Sequence, residues 1–308
     1  MIRNLILHAG TPKTGTTSLQ VYLDREREAL LRRGIFYPTT DETADSTKPK
    51  HQWIVNALMA SDSAYFRQKM HQVLDQAGSG PDTMILSTEG LFNHWWDFSP
   101  AGREALAGLT KEMAVQLWVW FREPVSFIRS NYVQMLRNPH MWVECYGRDI
   151  SLEQMLDDPW FARHLDYIGF VRQAESVLGR GAVLPFVYRG DTIEAFLRAL
   201  GLTGMPPGGL TEYRTLGELG AKLLRVLNRY ELTVEQKKAA VARIGELDAI
   251  VGAQSQPLRI TAAMARRIYD LAGESMRGLE RDFGLSFEST AAEGTAAPAI
   301  SDACSDAS

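Results

Sequence analysis

The chain has 308 residues, 45% hydrophobic and 23% charged, with a formal net charge of -4. That length supplies one large domain or two small ones and a sizeable core, and the charge gives no global reason to expect nucleic acid as a partner. Two cysteines, Cys145 and Cys304, are too few for a disulfide framework or a zinc site and fit a reducing cytoplasm.

The first informative stretch is residues 5–20. Leu5 to Leu7 is an apolar run short enough for a buried strand. A loop with Gly10, Pro12 and Gly15 follows, and then helical spacing through Leu19, Leu23, Leu30 and Leu31. Arg3 precedes only a short apolar run, so no signal peptide is expected. Gly34 to Pro38 reads as a short extended piece, and residues 39–50 as a polar loop. Two helices are expected over 51–60 and 64–77, then a breaker at Gly78-Ser79-Gly80-Pro81-Asp82. A second buried strand, Thr83 to Ser87, ends in Thr88-Glu89-Gly90, and an aromatic-rich segment occupies 91–97. Ser99-Pro100 opens a helix to about Lys111. Val115 to Phe121 is a third strand running into Arg122-Glu123-Pro124, and Pro124 suits the first turn of a helix reaching about Leu136.

Residues 151–178 read as helical with a break at Asp157-Asp158-Pro159. Ala182 to Val187 is a fourth strand, Tyr188 follows it, and Asp191 is a good N-cap for a helix to Leu200. Gly201 to Gly209 is a loop, and helices are expected over about 216–230, 233–251 and 261–283. The tail from Ser289 has no periodicity and is expected to be disordered, leaving 1–288 as a single domain. No stretch approaches eighteen apolar residues, so no transmembrane segment is expected and a cytoplasmic location is. Apolar strands alternating with helices predict a three-layer α/β/α fold around a parallel sheet, like that of P-loop NTPases, with a helical C-terminal part. In such sheets ligands sit at the carboxyl ends of the strands. The loop after the first strand, Glu89 and Arg122 all fall there.

Strand, glycine loop and helix N-terminus together make a phosphate cradle. Gly10 and Gly15 have the spacing of the ATP-binding pattern G-x-x-x-x-G-K-[ST], but Thr16 stands where that pattern needs lysine. Lys13 lies inside the loop instead, and Thr14, Thr16, Thr17 and Ser18 crowd hydroxyls around the first helical turn. Arg122 offers a fork for a second phosphate. Ser130, eight residues on, is about two turns into the following helix.

Leu7 to Ser18 resembles the 5'-phosphosulfate loop of sulfotransferases that use 3'-phosphoadenosine-5'-phosphosulfate (PAPS). Their second signature is an Arg ending a strand with a Ser eight residues later, which Arg122 and Ser130 match. The resemblance spans roughly residues 1–290 in element order and is closer to bacterial and glycan-type members. It implies sulfuryl transfer to a hydroxyl or amine, with Lys13 stabilising the leaving phosphate oxygen and no metal required. Pro12, Lys13, Thr14, Gly15, Thr16, Thr17 and Ser18 would hold the 5' side, and Arg122 with Ser130 the 3'-phosphate. The family's Gly-rich segment near the C-terminus is not evident, and Arg214 is the candidate stand-in. Tyr188, at the end of the fourth strand, reads equally as an adenine contact or as packing.

The acceptor needs a base, for which Glu89 stands first and His51 second. His8 reads as a hydrogen-bonded supporting residue. His51, Phe92, His94 and Trp95, with Trp53 and Trp96, are candidates for an acceptor pocket, although core packing explains any single aromatic as well. Trp118, Trp120 and Phe121 alternate within a strand and read as core. The partners expected are the small-molecule donor and a hydroxyl-bearing acceptor, a carbohydrate or small metabolite. A P-loop kinase or NTPase and a non-catalytic nucleotide-binding protein on the same fold remain as alternatives.

Overall fold

Alternation along the strands sets the layers. A computed structural model of the chain describes residues 1–39, 49–60, 62–139, 146–206, 216–251 and 258–287. The described residues form five strands: β1 (Asn4–Gly10), β2 (Ile35–Phe36), β3 (Thr83–Ser87), β4 (Ala114–Phe121) and β5 (Val183–Val187). All pair in parallel, in the order β2-β3-β1-β4-β5. Leu5, Leu7 and Ala9 of β1 face one side with Met84, Leu86, Leu117, Val119 and Phe121. Ile6 faces the other with Ile85, Trp118 and Trp120. Successive residues point to opposite faces, so a sheet apolar on both must be covered on both.

Helices α1 (Thr16–Arg25), α2 (Arg27–Leu31) and α11 (Thr192–Ala199) cover the second face through Leu19, Leu23, Leu30, Ile193 and Phe196. The first face carries α3 (Gln52–Met59), α4 (Ala64–Ala77), α5 (Gly90–Asn93), α6 (Pro100–Leu109), α7 (Pro124–Arg137) and α10 (Tyr167–Leu178). The short helices α8 (Leu152–Asp157) and α9 (Pro159–Ala162) precede α10. The C-terminal helices α12 (Glu218–Leu227), α13 (Val234–Val251) and α14 (Ala262–Phe283) add Leu224, Ile244, Ile268 and Leu279 to the same apolar cluster. The architecture is therefore three-layer α/β/α around a parallel sheet, with extra helices on one side. No described helix is long and apolar enough to cross a membrane.

Strand β1 lies between β3 and β4, so the connection from β3 to β4 passes to its far side. That reversal places a crevice at the carboxyl end of β1. The helix expected after the first loop is broken at Glu26 into α1 and α2; Leu30 is buried but Leu31 is 49% exposed, so only one of that leucine pair serves the core. The stretch 34–38 contributes β2, an edge strand. The tail from Ser289, Cys145, Cys304, residues 40–48 of the loop expected over 39–50 and residues 207–209 of the one expected over 201–209 lie outside the described residues.

Candidate functional site

The loop after β1 is held by its carbonyl oxygens. Thr11 N–H extends the pairing to Trp120 O at 3.0 Å. Thr14 Oγ1 donates to Thr11 O at 2.8 Å, Arg122 Nη1 donates to Lys13 O at 3.0 Å, and Thr192 Oγ1 donates to Thr14 O. No peptide bond among the described residues is cis. A planar trans peptide points its N–H opposite its C=O, so pinning the Lys13 and Thr14 carbonyls turns the Thr14 and Gly15 N–H groups the other way. Lys13 (φ 68°) and Gly15 (φ 77°) are both left-handed, which curls the loop into an anion-binding concavity. No side chain caps the N-terminus of α1, leaving its first-turn donors for a ligand.

The hydroxyls divide. Thr14 is fully buried and spends its proton inside the loop, and Thr16 is buried beside it with the two oxygens 3.5 Å apart. They lie over Gly10, where a Cβ would come within 2.6 Å of Thr14 Oγ1. Thr17 and Ser18 are half-buried, and Pro12 is buried. Of the four hydroxyls expected around the turn, two are thus internal braces.

Arg122 directly follows β4, next to this loop. Its Nη1 donates to Ser130 Oγ at 2.9 Å as well as to Lys13 O, so the eight-residue spacing is a direct contact across the first two turns of α7. Its backbone N–H reaches Thr11 Oγ1 at 3.1 Å, its carbonyl accepts from Tyr167 at 2.9 Å, and its guanidinium stands 5.7 Å from the Tyr188 ring. Burial lowers the Arg122 pKa; Tyr188 and Glu123 oppose the shift and the nearby Arg129 adds to it. Glu123 does not pair with Arg122. Its carboxylate caps α7 by accepting from Val125 N at 2.9 Å and Ser126 N at 2.8 Å, and takes a third bond from Tyr269 of α14 at 2.9 Å. Arg129 Nε is buried with no partner among the described residues.

Across β1, β3 delivers Glu89. Thr88 makes the local bonds there: its Oγ1 donates to Gln52 Oε1 at 3.0 Å and accepts from Gly90 N at 3.2 Å. Glu89 sits at the N-cap position of α5 without capping it, half-buried, and its carboxylate has no hydrogen-bond partner among the described residues. It is a carboxylate at the carboxyl end of β3 whose lone pairs no described residue uses.

The structure gives His51 a different place from the one expected. It is fully buried; Nδ1 accepts from Ser87 N at 3.0 Å and Nε2 faces Pro38 O at 3.3 Å. The imidazole lone pair is already taken, and burial lowers its pKa to about 4. His51 is a strut between β3 and the chain after β2, with no lone pair left for an acceptor proton. His8 is also buried, with Nδ1 2.7 Å from Ser87 Oγ and its pKa lowered to about 3 by burial.

Phe92 and Trp95 are corrected likewise. Both are fully buried in the core, each packing against Phe170, so neither faces a ligand. Trp53 is buried against Phe66. Trp96 is half-buried and carries the Arg163 guanidinium 5.4 Å over its ring; the same guanidinium stands 5.3 Å from the Trp160 ring. His94 is half-buried and lies 3.2 Å from Asp97, which Arg163 also binds at 2.7 Å. Burial alone would raise the Asp97 pKa, but those two partners pull it down to about 2. Trp118, Trp120 and Phe121 are core residues.

Sequence reasoning missed Thr192, Gln20 and Ser87. Gln20 Nε2 donates to Ser87 O and Ser87 Oγ, both at 3.2 Å, joining α1 to β3 behind the loop. The available signal was polar residues inside apolar strands: His8 in β1 and Ser87 in β3 had to find partners once buried. Arg214 lies outside the described residues. Among those described, no three His, Cys, Asp or Glu side chains gather to hold a metal ion.

No family model matches the chain, and no curated protein matches it. Among solved structures, a sulfotransferase from Alicyclobacillus acidocaldarius is similar over 92% of this chain and 97% of its own, at 13% identity and a TM-score of 0.46.

Proposed function

We propose that the chain is a sulfotransferase that moves a sulfuryl group from PAPS to an acceptor hydroxyl or amine. The observation that carries the reading is the bond set of Arg122. One guanidinium joins the left-handed Lys13 peptide to Ser130, so a concave 5' anion site and a cationic second site share one wall. An adenosine carrying phosphate at both 5' and 3' positions suits that pair. A triphosphate chain would need its lysine one residue past Gly15, where Thr16 stands.

The donor supplies an activated sulfuryl group on a phosphate leaving oxygen. Lys13, the loop N–H groups and the α1 N-terminus stabilise the charge that grows on that oxygen. Glu89 takes the acceptor proton as the new oxygen–sulfur bond forms and the old one breaks. Arg122 and Ser130 hold the 3'-phosphate against the face of Tyr188. The acceptor we favour is a carbohydrate or other small hydroxyl compound, met on the Glu89 side of the rim. There the segment after α5 presents His94 and the Trp96 indole.

Thermal melting without Mg²⁺ tests the reading. Stabilisation by 3',5'-ADP and not by ATP is expected; the reverse would identify a nucleoside-triphosphate enzyme. Turnover of labelled PAPS against a panel of sugars then separates an enzyme from a non-catalytic nucleotide-binding protein.

A further inference from the structure

We propose that Arg122 is also a positioning residue for the 5' loop: by holding the Lys13 carbonyl it keeps Lys13 in its left-handed backbone conformation and couples the two phosphate subsites. The proposal rests on the sulfotransferase reading above. A left-handed conformation is disfavoured for any residue with a Cβ, and Lys13 is the only non-glycine residue with positive φ among those described. Something outside the residue must hold it. The neighbouring carbonyls are held by neutral hydroxyls, Thr14 Oγ1 on Thr11 O and Thr192 Oγ1 on Thr14 O. The Lys13 carbonyl depends on a guanidinium that is itself the candidate ligand of the 3'-phosphate.

The division of the fork makes this dual role possible. Nη1 serves both Lys13 O and Ser130 Oγ, while Nη2 and Nε make no hydrogen bond among the described residues. One edge of a rigid plane grips the loop and the other is left for an anion. An anion on the free edge therefore tightens the plane that fixes Lys13, and the coupling must run equally in both directions.

The test uses 5'-AMP, which lacks the 3'-phosphate, beside 3',5'-ADP. Both are titrated into wild type, Arg122→Ala, Arg122→Lys and Ser130→Ala, with circular dichroism to confirm folding. A guanidinium that only binds the 3'-phosphate would leave 5'-AMP affinity untouched when removed. The coupled role instead predicts about a tenfold loss of 5'-AMP affinity in Arg122→Ala, and a larger loss for 3',5'-ADP. Arg122→Lys keeps the charge without the fork, so it should lose 5'-AMP affinity too. Ser130→Ala leaves the Lys13 contact in place and should weaken 3',5'-ADP selectively.

Amide hydrogen exchange at Thr14 and Gly15 gives a readout free of ligand, expected to accelerate in Arg122→Lys. Unchanged 5'-AMP affinity with unchanged exchange overturns the coupling and leaves the site assignment standing. Failure of wild type to bind either nucleotide overturns the assignment and the inference with it.

Discussion

Gly15 is the point where the loop hands over to α1, at φ 77°. A methyl group there meets two obstacles at once. The left-handed conformation costs an L-residue about 1–2 kcal/mol, and the added Cβ would lie 2.8 Å from Thr192 Oγ1. Moving Thr192 releases the Thr14 carbonyl. Gly15→Ala should therefore destabilise the protein by about 1–2 kcal/mol and also weaken 3',5'-ADP; denaturant melts and a nucleotide titration measure the two effects. Glu89 tests the chemistry at the same scale. Because its carboxylate braces nothing among the described residues, Glu89→Gln should leave stability and 3',5'-ADP binding unchanged. Sulfuryl transfer should fall by roughly two to four orders of magnitude. Near-normal turnover would take the base role away from Glu89. The positions of Lys13, Arg122 and Glu89 at the ends of strands, and the Arg122–Ser130 contact, were legible in the sequence because each belongs to a short pattern or follows a recognisable strand. Thr192 was not, because the carbonyl it holds lies 178 residues away.

Helix α7 shows the same logic one level up. Pro124 at its first turn and the Glu123 cap could be expected from local sequence, but the third bond to Glu123, from Tyr269, comes from α14. At the other end, Leu136 O accepts from Lys237 Nζ at 3.0 Å and Asn228 Nδ2 at 3.1 Å. Burial alone would raise the Glu123 pKa, but the bonds from Val125, Ser126 and Tyr269 hold it below its usual 4.5. A depressed carboxylate contributes stability that is complete above its unfolded value and lost as pH falls through the folded one. Glu123→Gln should cost about 1 kcal/mol at neutral pH, as a weakened cap. The variant should also lose less stability than wild type on acidification below pH 4.5, which urea melts across pH 3–7 would show. An equal slope in both proteins would remove Glu123 from the acid limb. Elements bounded by their own residues were readable: α4 spans Ala64–Ala77 as expected, and Asp191 caps α11 through Glu194 N. The aromatic run over 91–97 was not. A pocket wall and a buried turn have the same composition, and Phe170, far along the chain, decides between them.

At the scale of the molecule, the question is whether the C-terminal helices fold with the sheet or beside it. We propose one unit, on contacts between the two parts. Lys237 of α13 is buried with its ammonium on the end of α7, and Tyr269 of α14 reaches its start. Ser275 Oγ accepts from Ile168 N at 2.9 Å, and Gly278 lies so close to Ile168 that a Cβ would come within 2.9 Å of it. Leu224, Ile244, Ile268 and Leu279 share their apolar cluster with Leu7 and Phe121 of the sheet. Helix α7 carries Ser130 between those two ties, so loosening either end would reach the Arg122 contact. The described C-terminal helices contain no tryptophan, whereas Trp95, Trp118 and Trp120 lie in the sheet half. Tryptophan fluorescence therefore reports the sheet, and circular dichroism reports all the helices. Denaturant curves from the two probes should superimpose, with 3',5'-ADP shifting both midpoints together. Separate transitions, with the nucleotide moving only the fluorescence midpoint, would make residues 216–287 an independent unit. Coincidence in wild type that splits in Lys237→Met would locate the coupling in the buried ammonium at the end of α7.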